Sequence, residues 1–212
     1  MYDKPAKRYP AKYEPSDFVF FLHIPKTAGT SVTRILESLF DERRIIAPKQ
    51  FNNVRKHPRE IFERAEFVAG HYPHREVYRR LPRKPDLTLT FLREPVAHFQ
   101  SVFFHLQIDP TFAYTIRLLQ CKDAAKRIHQ ELKGATLQDF LDSEHCALFE
   151  NFQTRYLAGG LSNDYADYSD DQLLPIAESM LLGLPFFGIT ERFEDSVRLL
   201  EHVFDIDRPL PV

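Results

Sequence analysis

Cysteine is nearly missing from this chain: Cys121 and Cys146 are the only two, and they lie far apart. They form neither a CxxC pair nor a set of zinc ligands, so a dithiol redox site and a cysteine-based metal module are both excluded. At most one disulfide can form, and a reduced cytoplasmic protein is the expectation. Long apolar runs are also missing. The longest, such as residues 18–22, fall far short of the ~20 residues that cross a bilayer. The polar, proline-containing start from Met1 to Asp17 does not read as a signal peptide. Neither sign of charge dominates. The formal net charge is −2, so no global basic field recruits nucleic acid and any anion site must be a local pocket. There is no internal repeat and no low-complexity tract.

What is present is a normal globular composition, 43% hydrophobic and 27% charged over 212 residues. That suits one large α/β domain. Residues 1–17 read as a mobile arm or strap, and residues 18–212 as a single domain. Phe18-Val19-Phe20-Phe21-Leu22 has the continuous apolar character of a strand buried on both faces. The period then changes. Val32, Ile35, Leu36, Leu39 and Phe40 recur at helical spacing over residues 30–40. Further strands are expected at 45–47, 66–69, 87–92 and 184–189. Pro95 fits the first position of a helix that continues through Val96, Phe99, Val102, Phe103 and Leu106. Several helices are expected across 111–157, broken near Gly134 and ended by Gly159-Gly160. Two more are expected at 171–182 and 191–204, the last capped by Thr190. The alternation predicts a mostly parallel central sheet flanked by helices.

Between the first strand and first helix lies His23-Ile24-Pro25-Lys26-Thr27-Ala28-Gly29-Thr30-Ser31. Small residues and Gly29 let the backbone approach a ligand closely. The N–H groups of a helix start favour an anion. Thr27, Thr30 and Ser31 add hydroxyl donors, and Lys26 adds a positive charge at the mouth. This is a phosphate cradle, but not a Walker A loop. GxxxxGK[ST] places its lysine after the second glycine, whereas Lys26 lies three residues before Gly29. A second anion contact is expected at Arg93, just past the strand at 87–92, where ligands of open α/β sheets bind. Its guanidinium can grip a phosphate with two prongs. Ser101 follows Glu94 by about two helical turns, so Arg93 and Ser101 can converge on one group.

These segments resemble the sulfotransferase family that includes the heparan and chondroitin sulfate O-sulfotransferases and many bacterial relatives. HIPKTAGTS is similar to that family's 5′-phosphosulfate loop. Leu92-Arg93-Glu94-Pro95-Val96 through Ser101 is similar to its 3′-phosphate segment, usually LRDPVxRxxS. His98 stands where that pattern has arginine. His98, Ser101 and His105 share a helical face, so His98 is the expected substitute. Asn151-Phe152-Gln153-Thr154-Arg155 looks like an NxQTR segment that lines the cleft, which makes Gln153, Thr154 and Arg155 candidates. The resemblance implies a P-loop NTPase-like three-layer α/β fold and 3′-phosphoadenosine 5′-phosphosulfate (PAPS) as donor, with 3′,5′-ADP as product. It also implies an acceptor hydroxyl, on a sugar, and no required metal. Family members run further at the carboxyl end, where a basic tail helps cover the nucleotide. A chain ending at Val212 implies a truncated domain or a more open site. The compartment expected for a bacterial-type member is cytoplasmic, and for a truncated eukaryotic one the Golgi lumen. The alternatives are a non-catalytic nucleotide- or glycan-binding module and a kinase-like enzyme on the same fold.

Sulfuryl transfer needs positioning, a cation at the leaving oxygen and a base for the acceptor. Lys26 suits the cation. His71 is the expected base: it follows Gly70 at a strand end, its ordinary pKa of about 6.5 is close to the working range, and Gly70-His71 resembles the family's Gly-His. His74 is the runner-up. His23 is expected to pack or to orient the loop.

Overall fold

The apolar run becomes β1, Val19–Leu22, the central strand of five. The computed structural model describes residues 12–46, 59–71, 81, 83–115, 121–159 and 168–210. The other strands are β2 (Ile45–Ile46), β3 (Phe67–Gly70), β4 (Leu87–Leu92) and β5 (Phe186–Ile189). Their order is β2-β3-β1-β4-β5 and every pairing is parallel. The result is the three-layer, P-loop-like arrangement expected from the sequence.

Alternation along β1 divides the core. Phe20 and Leu22 join Val68 on one face, while Val19 and Phe21 join Phe67, Leu89 and Phe91 on the other. Helices α1 (Gly29–Glu37) and, near the chain's end, α9 (Phe193–Val203) cover the second face through Val32, Leu36, Leu200 and Val203. The first face is covered by α2 (Arg59–Glu63), α3 (Pro95–Leu106), α5 (Lys122–Leu132), α6 (Leu137–Leu141), α7 (Phe152–Ala158) and α8 (Asp170–Gly183). The short α4 (Phe112–Thr115) follows α3. Gly134 has φ +80 between α5 and α6, and Gly159, with φ +82, ends α7 as a left-handed cap.

The register places the site. Leu22 pairs with both Gly70 and Thr90, and Leu92 pairs with Ile189. Strands β1, β3, β4 and β5 therefore finish along one edge, and His23, His71, Arg93 and Thr190 follow them there. Two expectations change. The last helix begins at Phe193, after a 3₁₀ turn at Thr190–Arg192. Thr190 does not cap it: its hydroxyl donates to the Leu92 carbonyl at 2.9 Å, bonding β5 to the end of β4. Tyr13 donates its N–H to Val203 O at 2.7 Å and sets its ring against Phe40 and Phe204. Residues 1–11 lie outside the described residues.

Gly188 lies against the fully buried Phe91 ring, and a Cβ there would sit 2.5 Å from Phe91 Cε1. Phe91 is itself wedged among Phe21, Phe186 and Phe193. Gly188→Ala should therefore cost about 1–3 kcal/mol by overpacking, read as a lowered melting temperature. An unchanged melting temperature would show that this layer is loosely packed.

Candidate active site

The loop between β1 and α1 is strained. Lys26 and Ala28 have φ +69 and +61, left-handed values that non-glycine residues avoid. Such conformations cost of order 1–3 kcal/mol each and persist only where the surroundings impose them. Three side chains do so by binding three successive carbonyls. Thr27 Oγ1 donates to Ile24 O at 2.8 Å, His98 Nε2 to Pro25 O at 2.8 Å, and Arg93 Nη1 to Lys26 O at 3.3 Å. The start of α1 is left electropositive. No side chain caps it and no acidic residue lies in its first turn. By contrast, α3 is capped by Glu94, and α6 and α8 carry capping boxes at Thr136 and Ser169. An uncapped helix start behind a left-handed turn is an anion-binding concavity.

Gly29 is required for contact rather than for conformation. The His23 ring packs on it so closely that a Cβ would fall 1.9 Å from His23 Cδ2. The same ring lies 4.2 Å, centroid to centroid, from His71. His71 Nδ1 is 2.8 Å from the His23 carbonyl. That oxygen can only accept, so Nδ1 carries the proton, and Nε2 is the ring nitrogen free to take one. Burial pushes the His71 pKa below the ordinary imidazole value, partly offset by that hydrogen bond. His23 is held well below it by burial and by the neighbouring His71 and Lys26 charges. Lys26 is lowered by burial and by Arg93.

Two lobes open at the strand edge. The larger, about 380 Å³, includes the loop from Ala28 to Ser31, together with His23, His71, Asp109 and Phe112. The smaller, about 280 Å³, runs along α3 past Ala97, Gln100, Phe104 and Ile108. Lys26, Arg93, Ser101 and His105 line both. Arg93 and Ser101 thus reach the same space, as their spacing predicted. The Arg93 guanidinium is incompletely satisfied. Its Nε is buried without a hydrogen-bond partner, and the carboxylate of Glu191 stands 3.9 Å away. The Glu94 carboxylate accepts the N–H groups of Val96 and Ala97.

The other candidates are placed differently. The Thr27 hydroxyl turns inward, whereas Thr30 and Ser31 are exposed to the larger lobe. His98 is 3% exposed and faces Pro25, not the cleft. Gln153 binds the Arg93 backbone. Arg155 pairs with Asp170 at 2.8 Å and donates to Ala147 O. Thr154, partly buried on α7, is not among the residues lining either lobe. His74 lies outside the described residues. Sequence reasoning missed Glu191, Asp109 and the central place of His105; of these only His105 had a signal, its shared helical face with Ser101. Among the described residues no three His, Cys, Asp or Glu side chains are grouped to hold a metal ion.

The sulfotransferase family model matches residues 9–212. The chain belongs to the sulfotransferase family. Heparan-sulfate 6-O-sulfotransferase 1 of Homo sapiens is 28% identical over 232 residues, covering 90% of this chain and 54% of that protein. Its Cricetulus griseus counterpart is 27% identical over 231 residues, covering 90% and 56%. A protein-tyrosine sulfotransferase of Arabidopsis thaliana is 26% identical over 123 residues, covering 57% of this chain and 24% of that one. This sulfotransferase-family chain spans about half the length of the heparan-sulfate relatives it matches. Among its described residues no helix is long and apolar enough to cross a membrane.

Gly29→Ala should expel the His23 ring and destabilise the fold by about 1–3 kcal/mol. Adding His23→Ala removes the clashing atoms, so the double variant should melt higher than the sum of the single effects predicts. Strict additivity would mean that the two residues are not in contact.

Proposed function

We propose that this chain moves a sulfuryl group from PAPS to an acceptor hydroxyl on a carbohydrate, releasing 3′,5′-ADP. The observation that carries the reading is one cleft lined by two elements suited to anions, the open start of α1 and the Arg93 side chain, together with the His71 imidazole. A nucleotide bearing phosphates at both ends fits that pair. Family membership supports sulfuryl transfer, and the similarity to heparan-sulfate 6-O-sulfotransferases supports a sugar acceptor.

Bound PAPS would supply an activated SO₃ group on its 5′-phosphate. The residues Ala28 to Ser31 would hold that end through the backbone N–H groups of the helix start and through the Thr30 and Ser31 hydroxyls. Arg93 and Ser101 would hold the 3′-phosphate. Lys26 lines both lobes and places positive charge where the leaving oxygen gains negative charge. His71 is neutral at pH 7 because burial lowers its pKa. Its Nε2 takes the proton of the acceptor hydroxyl while Nδ1–H stays on the His23 carbonyl. A kinase-like reading lacks its Walker lysine.

In thermal-shift measurements 3′,5′-ADP should raise the melting temperature without Mg²⁺, and stabilisation by Mg²⁺-ATP alone would overturn the proposal. His71→Ala should lower transfer from PAPS by about 10²–10⁴-fold while 3′,5′-ADP binding persists; retained turnover would remove His71 from the chemistry. The acid limb of kcat/KM should fall below pH 6.5. A base whose pKa is depressed by burial loses activity only as pH drops through that lowered value. An inflection above 6.5 would contradict the assignment. A heparan-type glycan should accept label from PAPS; labelling of a tyrosine peptide alone would move the acceptor class to protein.

A further inference from the structure

Strand β4 ends at Leu92, and the next two residues run beyond the sheet ladder. Their backbone is held by side chains instead. Gln153 Oε1 accepts the Arg93 N–H at 2.9 Å, and Gln153 Nε2 donates to the Arg93 carbonyl at 2.8 Å. Glu191 accepts the Glu94 N–H at 3.1 Å. One primary amide thus bonds both backbone groups of a single residue, as a neighbouring strand would. With carboxyl groups ionised, only Asn and Gln carry a donor and an acceptor side by side on one planar group.

The platform behind Gln153 is fixed. Asn151 adopts a left-handed φ of +46 at the start of α7 and donates to Asp170 at 2.7 Å. Arg155 grips the same carboxylate through Nε at 2.8 Å and Nη2 at 3.2 Å. The residues on either side of Gln153 stake α7 to α8, and Gln153 reaches across to Arg93. Both ends of its amide are engaged there, whereas Arg93 keeps a buried Nε without a hydrogen-bond partner.

We infer that Gln153 is a positioning residue: it fixes the Arg93 backbone so that the guanidinium meets a phosphate, and it touches no ligand itself. This rests on the PAPS reading of the cleft. It gives the Asn-x-Gln-Thr-Arg segment of this chain a division of labour, with Asn151 and Arg155 anchoring and Gln153 acting through Arg93.

The test is calorimetric titration of the intact chain with 3′,5′-ADP and with 5′-AMP, which lacks the 3′-phosphate. Gln153→Ala should weaken 3′,5′-ADP by about tenfold and 5′-AMP by a clearly smaller factor, through the loop that Arg93 braces at Lys26 O. In an Arg93→Ala background, adding Gln153→Ala should weaken 3′,5′-ADP no further. Equal losses with and without Arg93, or equal losses for both nucleotides, would reduce Gln153 to a structural contact and overturn the inference. If Gln153→Ala does not fold, Gln153→Glu keeps the shape and the acceptor but loses the donor. It should weaken 3′,5′-ADP more than 5′-AMP, and unchanged affinity would overturn the inference. A wild-type chain that binds neither nucleotide overturns the PAPS reading, and this proposal with it. A wild-type chain that binds 3′,5′-ADP beside an unaffected Gln153→Ala overturns this proposal alone.

Discussion

Three consecutive carbonyls, those of Ile24, Pro25 and Lys26, are each taken by a side chain, and the site depends on that arrangement. A chain of ordinary residues does not enter left-handed conformations at Lys26 and Ala28 unaided. Thr27, His98 and Arg93 offset the strain by satisfying the carbonyls that the turn leaves out of any ladder. At the start of α1 the Ser31 N–H donates to Ala28 O at 3.0 Å, and no side chain caps the helix ahead of it. His98 is neutral in this role, because burial lowers its pKa despite the bond to Pro25. Arg93 braces the loop through Nη1, while its Nε lacks a hydrogen-bond partner and faces the Glu191 carboxylate at 3.9 Å.

The parallel sheet supplies the rest by register. Because β1 and β3 end level and β4 runs two residues further, the loop, His71 and Arg93 come to one edge without long excursions. Contacts past that edge tie the pieces together. His23 packs on Gly29 and offers its carbonyl to His71, and Thr190 bonds Leu92. Gln153 brings α7, from the opposite helix layer to α1, into the same network. The pH behaviour follows from this burial. His23, His71 and His98 all have lowered pKa values. The folded site therefore excludes protons that the unfolded chain accepts, and stability declines as pH falls below about 6.5 toward the lowered values.

The fold was legible because its signals are local. The continuous apolar run of residues 18–22 marked β1, and a change of period marked α1. The loop and the uncapped helix start at residues 26–31 were legible because a helix start after a buried strand has one electrostatic character whatever binds there. The strain was not, since neither lysine nor alanine signals a left-handed turn. His98 read as facing the ligand because it shares a helical stripe with Ser101 and His105. At the first turn of α3 that stripe faces the loop, and only further along does it face the cleft. The use of Gln153 and Glu191 was hidden for another reason. Their partners are backbone groups 60 and 97 residues away, and no residue pattern encodes a side chain that completes another segment's ladder. The expected Thr190 cap failed similarly, because the hydroxyl found a carbonyl on the neighbouring strand.

The most direct test of a two-ended anion cleft is to compare 3′,5′-ADP with 5′-AMP and 3′-AMP by calorimetry in Mg²⁺-free buffer. Charged hydrogen bonds at both ends should make 3′,5′-ADP bind at least about tenfold more tightly than either mononucleotide. Equal affinity for all three would contradict the account, because it would leave one of the two anion-holding elements without a ligand.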